Sequence, residues 1–223
     1  IVSLPDGDVV AQKLFEGEPI NVHYDYKYLG IWSEAEAEEA AKFGSQPGGV
    51  KVATNEKFDA DGVSDNGVHP YTDTDRVILG TTNPNWLLGV NNTFKYKGFD
   101  MNVFTMIRWG QMIHSNLMGW YTTGDGGQPK GIDYWTPENQ GAYYPRPGIS
   151  STTGISALRY VDGSFLKIKT ITLGYSLPQR ALEKVFTKRA RIYATAYNPL
   201  VFTKEKALKG TDPETNGSDT FPL

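Results

Sequence analysis

An acidic stretch, Asp59-Ala60-Asp61-Gly62 followed by Asp65, Asn66, Asp73 and Asp75, is rich in the hard oxygen ligands that hold calcium. The candidate ligands are Asp59, Asp61 and Asp65. No glutamate stands at the last position of a calcium loop, and an Asx-rich solvated turn explains the same residues. His23, His69 and His114 are scattered without ligand spacing, which argues against zinc. Glu138, with Asp133 and Asp125, is the carboxylate chemistry of glycoside hydrolysis, but a polar loop accounts for these residues as well. The sequence has no Gly-rich phosphate loop and no nucleophile elbow, so no catalytic residue is assigned and no enzyme is expected. The aromatic pairs Trp120-Tyr121, Tyr134-Trp135 and Tyr143-Tyr144 lie among Gly and Pro. They suit a rigid recognition loop that stacks on sugars or touches a partner, and equally a set of loops packed on one another.

These residues sit in a chain of 223 residues with net charge −3, 39% hydrophobic, 21% charged and 13% aromatic residues. The acidic balance argues against a nucleic-acid partner. Cysteine is absent, which excludes disulfide scaffolds, thiolate metal sites and cysteine nucleophiles. No apolar run is long enough for a transmembrane helix, a fact silent about β-barrels, whose strands alternate. The start at Ile1-Val2-Ser3 and the stop at Thr220-Phe221-Pro222-Leu223 suggest a piece of something longer.

Periodicity gives the elements. Residues 1–85 read as irregular, with one short helix over 33–43. Ser33 and Glu36 form a capping box there, Gly44 is the stop and Pro47 follows. Val22, Tyr24, Tyr26 and Tyr28 alternate with His23, Asp25 and Lys27, so this stretch reads as a strand. Four longer runs follow: 86–96, 99–109, 165–177 and 190–202. In the first, Trp86, Leu88, Val90, Phe94 and Tyr96 share a face opposite Asn91, Thr93 and Lys95. In the second, Phe99, Met101, Val103, Ile107 and Trp109 oppose Asp100, Asn102 and Arg108, with Phe104 and Met106 as exceptions. The third changes phase between Ile168 and Ile171, which a bulge near Lys169-Thr170 reconciles. The fourth carries Pro199, where pairing must loosen. The first two runs have the length that crosses a bilayer at a tilt, with aromatics at both ends. Lys97-Gly98 and Pro178–Lys188 are short connections; 110–164 and 203–223 read as long loops. That asymmetry describes an outer-membrane barrel, with the long segments outside.

Several ordered motifs resemble one family. They are Gly17–Trp32 (GEPINVHYDYKYLGIW), Asp75–Gly80 with Asn83-Pro84 and Trp86, Tyr134–Asn139 with Tyr144-Pro145-Arg146, Phe165–Pro178 (FLKIKTITLGYSLP), and Arg191-Ile192-Tyr193 with Asn198. Together they resemble the C-terminal portion of SusC/RagA-type TonB-dependent outer-membrane transporters. The resemblance implies an all-β fold, part of a large antiparallel transmembrane barrel of about 22 strands, with long extracellular loops and one short surface helix. It implies import of oligosaccharides or peptides across a bacterial outer membrane. It also implies a SusD-like lipoprotein partner, a TonB complex acting through a plug absent from this chain, and no cofactor besides the possible calcium. The family's usual final strand and earlier barrel strands are not found in the sequence. The rival is a soluble carbohydrate-binding β-sandwich, in which the apolar strand faces would meet each other rather than lipid.

Overall fold

The computed structural model describes residues 4, 7–54, 71–120, 131–149, 152–182 and 188–218. Its strands in chain order are β1 Val22–Asp25, β2 Tyr28–Ile31, β3 Val50–Val52, β4 Val77–Thr81, β5 Trp86–Tyr96, β6 Phe99–Trp109, β7 Met112–His114, β8 Tyr160–Asp162, β9 Phe165–Ser176 and β10 Arg191–Thr203. Short helices are α1 Ala37–Lys42, α2 Asn116–Trp120, α3 Thr152–Leu158 and α4 Gln179–Leu182. The chain divides into two compact units.

One unit joins residues 1–83, 112–161 and 214–223. Strand β1 pairs with β4 and β2 with β3, both antiparallel. The sequence predicts one strand through Val22–Tyr28; two are found, with different partners. The break follows Asp25, whose carboxylate accepts hydrogen bonds from the Tyr26 N–H at 2.9 Å, the Ser156 hydroxyl at 2.6 Å and the Tyr160 hydroxyl at 3.1 Å. A side chain that satisfies local donors in this way competes with the sheet ladder. Tyr26, Val50, Val52, Ala157 and Leu158 form a buried cluster. The expected helix over 33–43 is a 3-10 turn, Glu34–Glu36, running into α1. Ser33 N–H donates to Glu36 Oε2 at 3.1 Å as the capping box requires. Lys51, 2.7 Å from Glu36, and the Ser33 donors hold the Glu36 carboxyl down to about 2. Segment 110–164, expected as one long loop, contains β7, α2, α3 and β8, and most of it packs within this unit around Ile113, Met118, Leu158 and Val161.

The other unit joins residues 84–111 and 162–213. Its centre is an antiparallel sheet in the order β10-β9-β6-β5. The boundaries of β5 and β6 are those the sequence predicts. The hairpin between them turns on Lys97 (φ 45°) and Gly98 (φ 88°); two positive φ values match the twist of paired strands, and glycine takes the second at no steric cost. In β9, Thr170 faces Phe104 and Ile168 faces Thr105, so Lys169 is the extra residue of a bulge. That insertion returns Leu166, Ile168, Ile171, Leu173 and Tyr175 to one face, as the change of phase requires. In β10 the register shifts between Tyr197 and Leu200, across Asn198 (φ 49°) and Pro199, where the ring leaves no N–H to pair.

Candidate functional site

The sheet β5, β6, β9 and β10 is two-faced, and its registers say which residues share a face. Residues directly opposite in an antiparallel pair project to the same side. One face carries Leu88, Val90 and Phe94 from β5, Met101, Val103 and Ile107 from β6, Ile171 and Leu173 from β9, and Ile192, Ala194, Ala196 and Leu200 from β10. Its polar exceptions are Asn92 and Thr105. Much of it is open: Phe94 is 56% exposed, Leu173 55% and Ile192 68%. An apolar surface of this extent marks contact with lipid or a partner.

Aromatic rows end this face at both sides. Trp86 stands opposite Trp109 with ring centroids 6.1 Å apart. At the other end Tyr96, Phe99 and Tyr175 lie in register, with the Phe99 and Tyr175 rings 4.4 Å apart. Eleven residues per strand at ~3.3 Å each span about 36 Å, which a ~45° tilt projects to about 25 Å, the height of a barrel's apolar band.

The opposite face is polar toward the Lys97-Gly98 end, with Leu87, Phe104, Met106, Phe165 and Val201 as its apolar members toward the other. Asn102 Nδ2 donates to Asn91 Oδ1 at 2.8 Å and to Thr93 Oγ1 at 2.9 Å. Thr172 and Thr195 join through their hydroxyls at 3.0 Å. Arg191 reaches from β10 across β9 to Asp100 on β6, with Nε donating at 2.9 Å and the second guanidinium nitrogen closing a bidentate pair. Gly174 is the gap that admits it, since a Cβ there would collide with the Arg191 guanidinium. We expect Gly174→Ala to displace the guanidinium and uncouple it from Asp100. In a double-mutant cycle, Arg191→Gln then has no further effect once Gly174→Ala is present; additive effects would show that the bridge survives. Tyr193 and Tyr197 share this face and are exposed.

Lys167 also lies on this face, opposite Met106 and Val201. Its side chain is 1% exposed and pairs with Asp212 at 2.6 Å. Asp212 belongs to a segment whose Leu208 and Pro213 are also buried. Sequence reasoning found the alternation of Lys167 with Leu166 and Ile168 but not its partner, which lies 45 residues away in irregular chain.

The residues singled out by type fare differently. Asp59, Asp61, Asp65 and Tyr121 lie outside the described residues, as does the side chain of Trp120. Trp135 is 2% exposed and Tyr144 7%, so of the two readings the sequence left open, these two residues follow the packed-loop one. Trp135 packs against Gly48, where the Arg146 N–H donates to the Gly48 carbonyl at 2.9 Å. Tyr134 and Tyr143 are half-buried, and Tyr143 stacks obliquely on Tyr28 at 5.8 Å. Asp133 is engaged by the Asn139 amide at 2.8 Å and the Tyr143 N–H at 3.3 Å, so it braces the loop. Among the described residues no three metal-ligating side chains converge.

A polar cluster in the first unit was not foreseen. The His23 and His114 rings flank Tyr160, at 5.2 and 5.0 Å. His23 Nε2 is 3.3 Å from the Met112 carbonyl and 3.1 Å from the Thr82 hydroxyl. Burial lowers the pKa of both imidazoles, helped by Lys13 at His23 and by Arg159 and His23 at His114. Burial and Asp25 push the Tyr160 phenol up to about 12. A histidine whose folded pKa lies below its unfolded value near 6.5 favours folding while neutral. Stability of this unit is therefore full above about pH 6.5 and falls as the pH drops toward the folded values, because the unfolded chain takes up protons first. Hydrogen-exchange protection at 22–25 and 112–114, taken relative to the intrinsic amide rate, should fall as the pH drops below about 6.5, and His23→Gln/His114→Gln should flatten that dependence.

No protein-family model matches the chain. TonB-dependent receptor P3 of Formosa agariphila is 32% identical over 234 residues, covering 97% of this chain and 22% of that protein. TonB-dependent receptor P26 of the same organism is 29% identical over 207 residues, covering 91% and 20%. The chain thus spans about a fifth of the length of the relatives it matches. The structure of the RagAB peptide transporter superposes with a TM-score of 0.63 at 22% identity, over 92% of this chain and 21% of that one. The RagAB peptide importer in its open-open state gives 0.60 at 23% identity, over 91% and 20%. The alternating strands, the aromatic rows and the likeness along nearly the whole sequence lead to one conclusion: the chain is similar to a segment of TonB-dependent receptors and has the fold of a segment of the RagAB transporter's barrel.

Proposed function

We propose that the chain is a wall segment of an outer-membrane importer. The single observation that carries this is the sheet β10-β9-β6-β5: an exposed apolar face bounded by two aromatic rows, backed by a hydrogen-bonded polar face. The apolar face meets lipid and the polar face lines the lumen. Both outer strands, β5 and β10, present open edges to neighbouring strands of a larger barrel, since unpaired backbone groups in lipid cost several kcal/mol each. The two relatives are named TonB-dependent receptors and the structural neighbours are described as peptide transporters or importers. From them we take import driven through TonB, of peptides or oligosaccharides, with a SusD-like surface lipoprotein as partner. The exposed Tyr193 and Tyr197 and the half-buried Tyr134 and Tyr143 are the aromatics that substrate or partner would touch.

Loop lengths set the topology. The turn Lys97-Gly98 and the 178–190 connection face the periplasm, and 110–164 faces outward. Cysteine-reactive label applied to intact cells carrying the full-length protein should reach a cysteine at Glu138 and miss one at Lys188. The reverse pattern would contradict the topology. Recovery of the native protein in the soluble fraction without detergent would favour the β-sandwich instead.

A further inference from the structure

We propose that residues 204–213 form a strap that swings on and off the lumen face of this wall, at the end remote from the Lys97-Gly98 turn, with the Lys167–Asp212 pair as its catch. The proposal rests on the wall-segment reading above and adds a moving part to it. Strand β10 ends at Thr203 and the chain turns back at once. The Thr203 hydroxyl donates to the Glu205 carbonyl at 3.0 Å, and the Lys204 N–H to the Ser164 carbonyl at 2.9 Å. Lys204 also pairs with Asp162, so the near end of the strap is anchored. The next turn, Lys206–Leu208, is held by bonds of its own. The Lys209 N–H donates to the Lys206 carbonyl at 3.0 Å, and the Thr211 N–H and hydroxyl both donate to the Leu208 carbonyl, at 3.0 and 2.7 Å. Asp212 then meets the Lys167 ammonium, which the strand registers place on the lumen face. Phe165 and Lys167 are each 1% exposed there, whereas Tyr193 and Tyr197, on the same face nearer the Lys97-Gly98 turn, are 64% and 75% exposed. The lumen face is covered where the far end of the strap reaches it and open beyond.

Two properties make this cover movable. Its internal hydrogen bonds are short-range, so they survive a swing about the Thr203-Lys204 junction, and a hinge needs only a few residues at the end of an element. Its catch is ionic. Closing the strap strips water from an ammonium and a carboxylate, and their attraction offsets that loss only in part; opening restores the water. An apolar catch of the same volume gains nothing comparable on opening and holds the closed state more tightly. The charged catch therefore keeps a minor open population that an apolar one suppresses.

The test reads access to the wall beneath the strap. Met106 lies opposite Lys167 on the lumen face. Met106→Cys in the full-length protein in detergent is labelled with a charged, water-soluble thiol reagent in three backgrounds: otherwise wild type, Asp212→Ala, and Lys167→Met/Asp212→Leu. Lys95→Cys, on the same face beside the Lys97-Gly98 turn, is the control. Asp212→Ala breaks the catch and should speed labelling at 106. The apolar double variant should slow it roughly fivefold or more below the wild-type rate, the smallest gain in closure that such a replacement commonly brings. The rate at 95 should be the same in all three. The double variant decides, since only a strap that opens in the wild-type protein can be tightened, whereas a static cover gives the wild-type rate. A rate at 106 unchanged or raised in the double variant overturns the proposal. If Asp212→Ala does not fold, Asp212→Asn takes its place with the same expectation. Flotation of the full-length protein with phosphatidylcholine vesicles separates the two readings. Failure to float sinks the wall-segment reading, whereas protein that floats and labels at one rate in all three backgrounds sinks this inference alone.

Discussion

Asp212→Ala should lower the stability of the full-length protein by ~3–5 kcal/mol, a loss typical of a buried pair deprived of one member. Lys167 has 1% of its side chain exposed and Asp212 18%, at 2.6 Å. Alanine at 212 takes a carboxylate from beside an ammonium that is 1% exposed, and a buried charge deprived of such a partner costs more than the attraction itself was worth. Lys167→Met/Asp212→Leu should recover most of the stability, because it removes both charges and keeps the volume. The midpoint of chemical denaturation in detergent checks both variants. A loss below about 1 kcal/mol for Asp212→Ala, the value of an exposed pair, would mean that the 204–213 segment does not cover Lys167.

Val103→Arg should cost ~2–4 kcal/mol, the price of a cation near the bilayer midplane on a barrel's lipid face. Val103 sits near the centre of β6, flanked on its face by Asn92 and Ile171. Tyr197→Arg is the control. It lies on the polar face, is 75% exposed and opposes Thr170, so its guanidinium stays in water. Equal losses at the two positions, measured by unfolding of the protein in lipid vesicles, would refute the assignment of the faces, since a one-residue slip exchanges them throughout a strand.

The sheet was legible because its code is a period of two. Trp86–Tyr96 and Phe99–Trp109 alternate cleanly enough that sequence and structure agree on their ends. Even the bulge at Lys169 was legible, because one inserted residue inverts the alternation on either side of it. The other unit was not. Its strands are three to five residues long, too short for periodicity to register, and their pairing spans distant sequence. Asp25 looked like one polar residue in an alternating strand, yet Ser156 and Tyr160 make it the point where that strand ends. At Trp135 and Tyr144 the sequence left recognition and loop packing equally open, because aromatics among Gly and Pro have the same composition whether solvent or Gly48 and Tyr134 lies against them. Lys167 and Asp212 could not be paired before the chain between them was placed.

Nitroxide labels placed one at a time from Met101 to Ile107 of the full-length protein in lipid bilayers test the two-faced wall most directly. The chain has no cysteine of its own, so each label is unique within this segment. Oxygen, which concentrates in lipid, should broaden the spectra at 101, 103, 105 and 107, while a water-soluble nickel chelate should act at 102, 104 and 106, giving two profiles of period two and opposite phase. Profiles without alternation, or with the even positions in lipid, would contradict the account.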